Sequence, residues 1–386
     1  MFHFSQLPPL SLYIHFPWCV RKCPYCDFNS HEVKDGLPEA AYIDALLRDL
    51  EQDLPRVWGR PVVSVFMGGG TPSLFSAESM DRLLSHLRAR LPFAANVEIT
   101  LEANPGTAEQ ARFSEYRAAG INRLSIGVQS FNDDCLQRLG RIHGRREAIA
   151  AIEMAHKAGF DNFNLDLMFA LPGQSQTQAE EDVATAIALE PTHVSYYQLT
   201  LEPNTLFYAR PPTLPDDDVA WRMQRAGQER LAAAGFAQYE VSAYARAGRQ
   251  CRHNLNYWRF GDYLGLGAGA HAKITDGARQ AIIRLAKQRN PRAYLDAVGS
   301  PACVQDEHAV EREEVGLEFM MNALRLVDGV EPDLFAAHTG QPIALIEDAL
   351  REAEAAGLLE RTAERIRPSE RGRLFLNDLL GLFVAG

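Results

Sequence analysis

Three cysteines, Cys19, Cys23 and Cys26, fall within the run His15-Phe16-Pro17-Trp18-Cys19-Val20-Arg21-Lys22-Cys23-Pro24-Tyr25-Cys26-Asp27-Phe28. Their C-x3-C-x2-C spacing brings soft thiolates from one loop, ligands suited to an iron–sulfur cluster or to zinc. A cubane held by three thiolates keeps one iron open to bind and reduce a small molecule, which a fully ligated electron carrier does not. The zinc reading takes His15 or His31 as a fourth ligand. Zinc motifs, however, usually pair two C-x2-C units across a long gap, and no second pair occurs in the chain. Six cysteines in 386 residues do not suit a disulfide framework.

That loop needs a scaffold, and the apolar pattern supplies one. Strands are predicted at 12–14, 62–67, 96–101, 123–128, 162–169 and 193–199. Helices are predicted at 40–54, 76–91, up to residue 119, at 133–139 and 145–158, and up to residue 189. Thr107 with Gln110, and Thr177 with Glu180, read as capping boxes that open two of them. Strands alternating with helices call for a parallel sheet of βαβ units. Six units are too few for a closed eight-unit barrel and fit a partial (β/α)6 barrel, although periodicity alone also admits a doubly wound sheet.

The polar signals follow strand ends. The cysteine loop, Gly68-Gly69-Gly70-Thr71-Pro72, Glu102-Ala103-Asn104-Pro105 and Gln129-Ser130 all lie at the carboxyl edge, where parallel α/β folds gather their active sites. The glycine run has no following lysine, so it is not a phosphate-binding P-loop. By itself it is equally a plain turn or a place where backbone approaches a ligand. Glu102, Gln129, Arg141 and Asp166 would each singly be solvated or capping side chains. Asp166, between Leu165 and Leu167, needs a partner, because a lone buried carboxylate is costly.

With these motifs in order, the sequence resembles the radical S-adenosylmethionine (SAM) enzymes. In that superfamily three such cysteines hold a [4Fe–4S] cluster whose open iron chelates SAM, and the glycine run resembles the strand that contacts the SAM amino group. More narrowly, Ser11 to Pro17, the cysteine loop, Gly68 to Pro72, Leu101 to Pro105, Arg123 to Phe131 and Asp166 to Gly173 resemble the oxygen-independent coproporphyrinogen III oxidase group over about half the chain. The resemblance implies cluster ligation by Cys19, Cys23 and Cys26. It implies SAM contacts from Tyr13, Tyr25, Gly69, Gly70, Thr71, Glu102, Gln129, Arg141 and Asp166. Two departures stand out: Phe28 occupies the place of a further cysteine in the oxidases, and only Met1 to Pro9 precede the first strand. Both match the HemW-type heme chaperones, relatives that bind heme and pass it to acceptor hemoproteins, as does His253-Asn254-x-x-Tyr257-Trp258. The implied function is thus a heme chaperone carrying a cluster and SAM, with a homodimer on heme binding; the alternative is radical oxidative decarboxylation of coproporphyrinogen III. His253 is the candidate heme contact, against a reading in which it only bonds neighbouring backbone. His271 reads as structural, and Cys251 and Cys303 as small buried hydrophobes.

A net charge of −11 argues against nucleic acid as the main partner. No apolar run reaches membrane-spanning length and no basic-then-apolar leader opens the chain, so a reducing cytoplasm is the expected setting. Residues 1–235 are expected to form the barrel, 236–305 a connecting segment, and 306–386 a small helical, winged-helix-like domain with a hairpin near 358–366. The acidic residues Glu347, Glu352, Glu354, Glu360 and Glu364 make that last domain a poor phosphate surface.

Overall fold

A computed structural model describes residues 2–34, 36–106 and 112–384. Strand β1 (Leu10–Phe16) is buried along nearly its whole length, as befits a strand covered on both faces in a parallel sheet. Two-residue strands β2 (Trp18–Cys19) and β3 (His31–Glu32) pair in parallel and close the neck of the cysteine loop. Strands β4 (Val62–Gly69), β5 (Phe93–Ala103), β6 (Arg123–Gln129), β7 (Phe163–Phe169) and β8 (His193–Gln198) follow. Together with β1 they form six parallel neighbours in sequence order, the partial (β/α)6 barrel.

The crossover helices are built to cover that sheet. In the helix Ala77–Arg90, Met80, Leu83, Leu84 and Leu87 recur at helical spacing and are buried, and the Ser76 hydroxyl caps its first turn by accepting from the Ser79 amide. The helix Gln176–Ala188 does not start at Thr177 as its sequence suggested. Its capping box is Ser175 with Gln178, each side chain bonding the other's backbone N–H, so the box sits two residues earlier. The box expected at Thr107 and Gln110 lies outside the described residues. Residues 370–381 form two short helices, Glu370–Leu374 and Leu376–Gly381, because the chain leaves helical geometry at Phe375 and turns Leu379 and Phe383 into the C-terminal core.

Residues 236–305 extend the same sheet at both ends. Strands β9 (Ala237–Gln238) and β10 (Ala243–Ala245) lie antiparallel on the β8 edge. Strand β11 (Asp262–Leu266) pairs in parallel with β1 on its other side, and β12 (His271–Asp276), β13 (Ala281–Lys287) and β14 (Val304–Ala309) continue antiparallel to make twelve strands. The remaining chain forms a second core around Phe319, Met320, Phe335 and Leu350, with the hairpin β15 (Leu359–Arg361) and β16 (Ile366–Pro368). Among the described residues no helix is long and apolar enough to cross a membrane.

Buried ion pairs lock the extension to the barrel. Lys287 Nζ on β13 lies 2.6 Å from both Asp49 and Asp53 of the helix Glu39–Asp53, and Asp49 also accepts from the Gly267 amide and the Tyr294 hydroxyl. Removing one member of a buried, hydrogen-bonded charge set strands the others. Lys287→Ala is therefore expected to lower unfolding stability by about 3–5 kcal/mol in a urea titration, whereas a loss under 1 kcal/mol would show the two carboxylates to be solvated.

Candidate functional site

The carboxyl ends of the parallel strands open on a cavity of about 330 Å³, and Cys19, Cys23 and Cys26 all line it. The cysteine loop is docked on the glycine run backbone to backbone: the Gly70 amide donates to Phe16 O and the Thr71 amide to Trp18 O, each at 2.7 Å. Gly69 has φ +109°, and a Cβ there would lie 2.3 Å from the His15 ring; a Cβ on Gly70 would lie 2.5 Å from Trp18 O. Only glycine allows this approach. At the far end of the loop, Lys22 Nζ donates to Phe28 O and Ser30 O, and Asn29 Nδ2 donates to Ala268 O and Arg289 O. Burial pushes the Cys19 and Cys26 thiols up, so in the metal-free chain both must shed a proton on ligation.

Facing the thiols, Arg141 Nη1 is 3.5 Å from Cys23 Sγ, while Nη2 donates to Asn104 Oδ1 and Gly127 O. Arg141 Nε is buried without a partner among the described residues. Asn104 in turn donates to the Thr71 hydroxyl at 2.8 Å, which ties the second and third strand ends together. Glu102 accepts from the Gly69 amide; burial, and then the neighbouring Asp166 charge, raise its carboxyl to about 8. Asp166 has the partners its position demanded, Asn164 Nδ2 at 2.8 Å and the Ser125 hydroxyl at 3.5 Å, and burial still pushes its carboxyl up. Gln129 closes β6 at φ +69°, a sparsely populated conformation for a side-chain-bearing residue, and its Oε1 accepts from the Tyr197 hydroxyl.

Eleven of the thirteen residues singled out in the sequence thus share one cavity: the three cysteines, Tyr25, Gly69, Gly70, Thr71, Glu102, Gln129, Arg141 and Asp166. Tyr13 lines an adjoining cavity instead, with its hydroxyl 3.0 Å from His15 Nδ1. His253 lines neither. It is 2% exposed in the short helix Arg252–Trp258, with Nδ1 3.1 Å from the Ser64 hydroxyl and its ring stacked on Phe66. Glu98 on β5 accepts from the Arg252 and His253 amides, which pins that helix to the barrel. Sequence reasoning passed over Ser125 and Tyr197 as cavity residues. Tyr197 stands near the carboxyl end of β8, so the strand-end rule that found Gln129 could have found it.

Among the described residues, no group of three or more His, Cys, Asp or Glu converges on a single metal ion. Three thiols on one cavity match the ligand count of a cubane that keeps one iron open. The unpartnered Arg141 Nε supplies a donor for a carboxylate beside them.

Residues 13–186 match the radical SAM superfamily and residues 310–375 the HemN C-terminal domain. The chain is 52% identical over 382 residues to the heme chaperone HemW of Escherichia coli, covering 98% of this chain and 99% of that protein. The chain belongs to the HemW family. The Haemophilus influenzae HemW is 50% identical, again over 98% of this chain and 99% of the relative, and the Bacillus subtilis HemW is 34% identical over 97% and 99%. In fold, the chain matches the E. coli coproporphyrinogen III oxidase HemN, a radical SAM enzyme, with a TM-score of 0.82 at 23% identity over 98% of this chain and 90% of that one. The family's radical SAM domain implies a [4Fe–4S] cluster and SAM, and the cavity's thiols and Arg141 fit both.

A raised carboxyl binds its proton more tightly in the folded chain than in the unfolded one. Glu102 therefore costs the metal-free protein stability as pH rises from its unfolded value, near 4.5, through about 8. Glu102→Gln is expected to flatten the pH dependence of unfolding across that window and to raise stability at its upper end. Unfolding curves of equal slope for both proteins would reject the burial of this carboxyl.

Proposed function

We propose that this chain is a heme chaperone that binds heme and passes it to acceptor hemoproteins in the cytoplasm, with a homodimer formed on heme binding. In this reading Cys19, Cys23 and Cys26 ligate the cluster. Arg141 meets the SAM carboxylate through its free Nε, the Gly69–Gly70 backbone meets the amino group, and Glu102 and Asp166 meet the ribose hydroxyls. Tyr25, Thr71 and Gln129 complete the SAM wall, and Tyr13 closes it from the adjoining cavity. When bound, the cluster supplies an open iron that chelates SAM and a source of single electrons.

The observation that carries this reading is the rim of the cofactor cavity. Val20, Phe28 and Ile142, all lining residues, are 55%, 59% and 60% exposed. Three exposed apolar side chains lining one cavity offer contact to an apolar partner. A protein that releases a flat apolar cargo needs such a mouth, whereas radical chemistry needs water shut out. Phe28 adds its ring where the oxidases carry another cysteine. The full-length similarity to relatives named heme chaperones supports the same reading.

The test is an anaerobic heme titration of cluster-reconstituted protein followed by Soret absorbance, then mixing with a heme-free hemoprotein. One-to-one saturation and onward transfer are expected, with no turnover of coproporphyrinogen III. Unsaturable binding, or decarboxylation of coproporphyrinogen, would replace the chaperone reading with the oxidase one.

A further inference from the structure

A second cavity, about 420 Å³, adjoins the cofactor cavity and shares Gly69, Glu102 and Phe28 with it. Its volume falls in the range of roughly 300–1,000 Å³ usual for ligand sites. Tyr13, Tyr257 and Tyr263 give it aromatic walls, and His15, His271 and Arg289 give it imidazoles and a cation. Aromatic faces, an imidazole and a cation are what a metalloporphyrin with propionates requires.

The three nearby histidines are not equivalent. His15 has both ring nitrogens engaged, Nδ1 with the Tyr13 hydroxyl and Nε2 with Asn29 O. His253 sits behind the wall: Tyr257 packs edge-on against it at 4.8 Å and Phe66 stacks on it at 5.0 Å, so an iron could reach Nε2 only after those rings moved. His271, at the start of β12, is exposed, lines the cavity, and makes no side-chain hydrogen bond among the described residues. Partial desolvation of its ring by the cavity walls, then Arg289 and Arg284, lower its pKa, which favours the neutral, ligating imidazole.

The cations divide in the same way. Arg284 is committed to Glu318 and to the Tyr263 hydroxyl. The Arg289 side chain is exposed and has no ion pair among the described residues, while its carbonyl is held by Asn29 of the cysteine loop. We infer that heme is bound in this second cavity, with His271 as an axial ligand to the iron and Arg289 paired with a propionate. The inference rests on the heme-chaperone reading and moves the heme contact from His253 to His271.

The experiment uses the full chain with its cluster reconstituted, titrated anaerobically with heme and with heme dimethyl ester, and read by Soret absorbance and electron paramagnetic resonance. His271→Ala should keep its iron and SAM binding, lose the imidazole-ligated heme spectrum, and regain it when imidazole is added. Arg289→Gln should keep that spectrum, bind heme roughly tenfold more weakly, and lose the wild-type preference for heme over its dimethyl ester. A wild-type spectrum in His271→Ala would overturn the site, and so would loss of the spectrum in His253→Ala alone. Should His271→Ala fail to fold, an unchanged ester preference in Arg289→Gln would overturn it equally. No saturable binding by the wild-type protein would instead reject the chaperone reading itself.

Discussion

The contact on which the rest of the structure depends is the seam between the cysteine loop and the glycine run. Two backbone hydrogen bonds, Gly70 N to Phe16 O and Thr71 N to Trp18 O, hold the ends of β1 and β4 in contact. Neither Gly69 nor Gly70 has room for a Cβ there, and the His15 ring fills the space beside Gly69. These main-chain bonds fix where the loop leaves β1, and the three half-buried cysteines that follow line one cavity. Asn29 extends the same constraint outward, because it fastens the end of the loop to Ala268 and Arg289.

Around this seam the molecule tolerates arrangements that oppose its own stability. Glu102 and Asp166 share one cavity as raised carboxyls, Gln129 holds a left-handed backbone conformation, and Arg141 keeps a buried N–H unpartnered. Each is unfavourable by itself, and such features gather where a ligand supplies the missing partner. Two buried charge sets away from the cavity are built differently. Asp262 is bonded to Lys273, Arg60 and Thr275, and Lys287 to two aspartates, so the buried charges there are matched.

The parallel half of the fold was legible because its strands are apolar runs followed by short polar signals, and the strand-end rule then gathered most of the cavity from four separate stretches. The antiparallel half was not. Strand β14, Val-Gln-Asp-Glu-His-Ala, is an exposed edge with no apolar alternation, and β13 carries buried Lys287 where a pattern search expects a hydrophobe. His253 stands out by its neighbours in sequence, Tyr257 and Trp258, yet those rings serve packing: Tyr257 against Tyr263 of β11, and Trp258 beneath Arg325 at the C-terminal core. His271 was set aside as structural because it ends a run of small residues. Those small residues are what let β11 and β12 approach, since a Cβ on Gly265 would lie 2.0 Å from His271 O. An aromatic motif and a glycine run are ambiguous in one dimension; only the packing shows which of them walls a cavity and which stands behind it.

The place of β1 also governs when this protein can assemble. The first long strand of the chain is an interior one, paired on one side with β4 and on the other with β11, where Leu10 meets Asp262. A polypeptide emerging from the ribosome cannot complete that second edge until about two-thirds of its length has been made. Contacts so remote in sequence close slowly. Until then β1, and the cysteines that follow it, belong to an unfinished sheet with an open apolar edge. The cofactor cavity itself draws on no residue beyond Tyr197, so its whole lining has been made before β11 can close against β1.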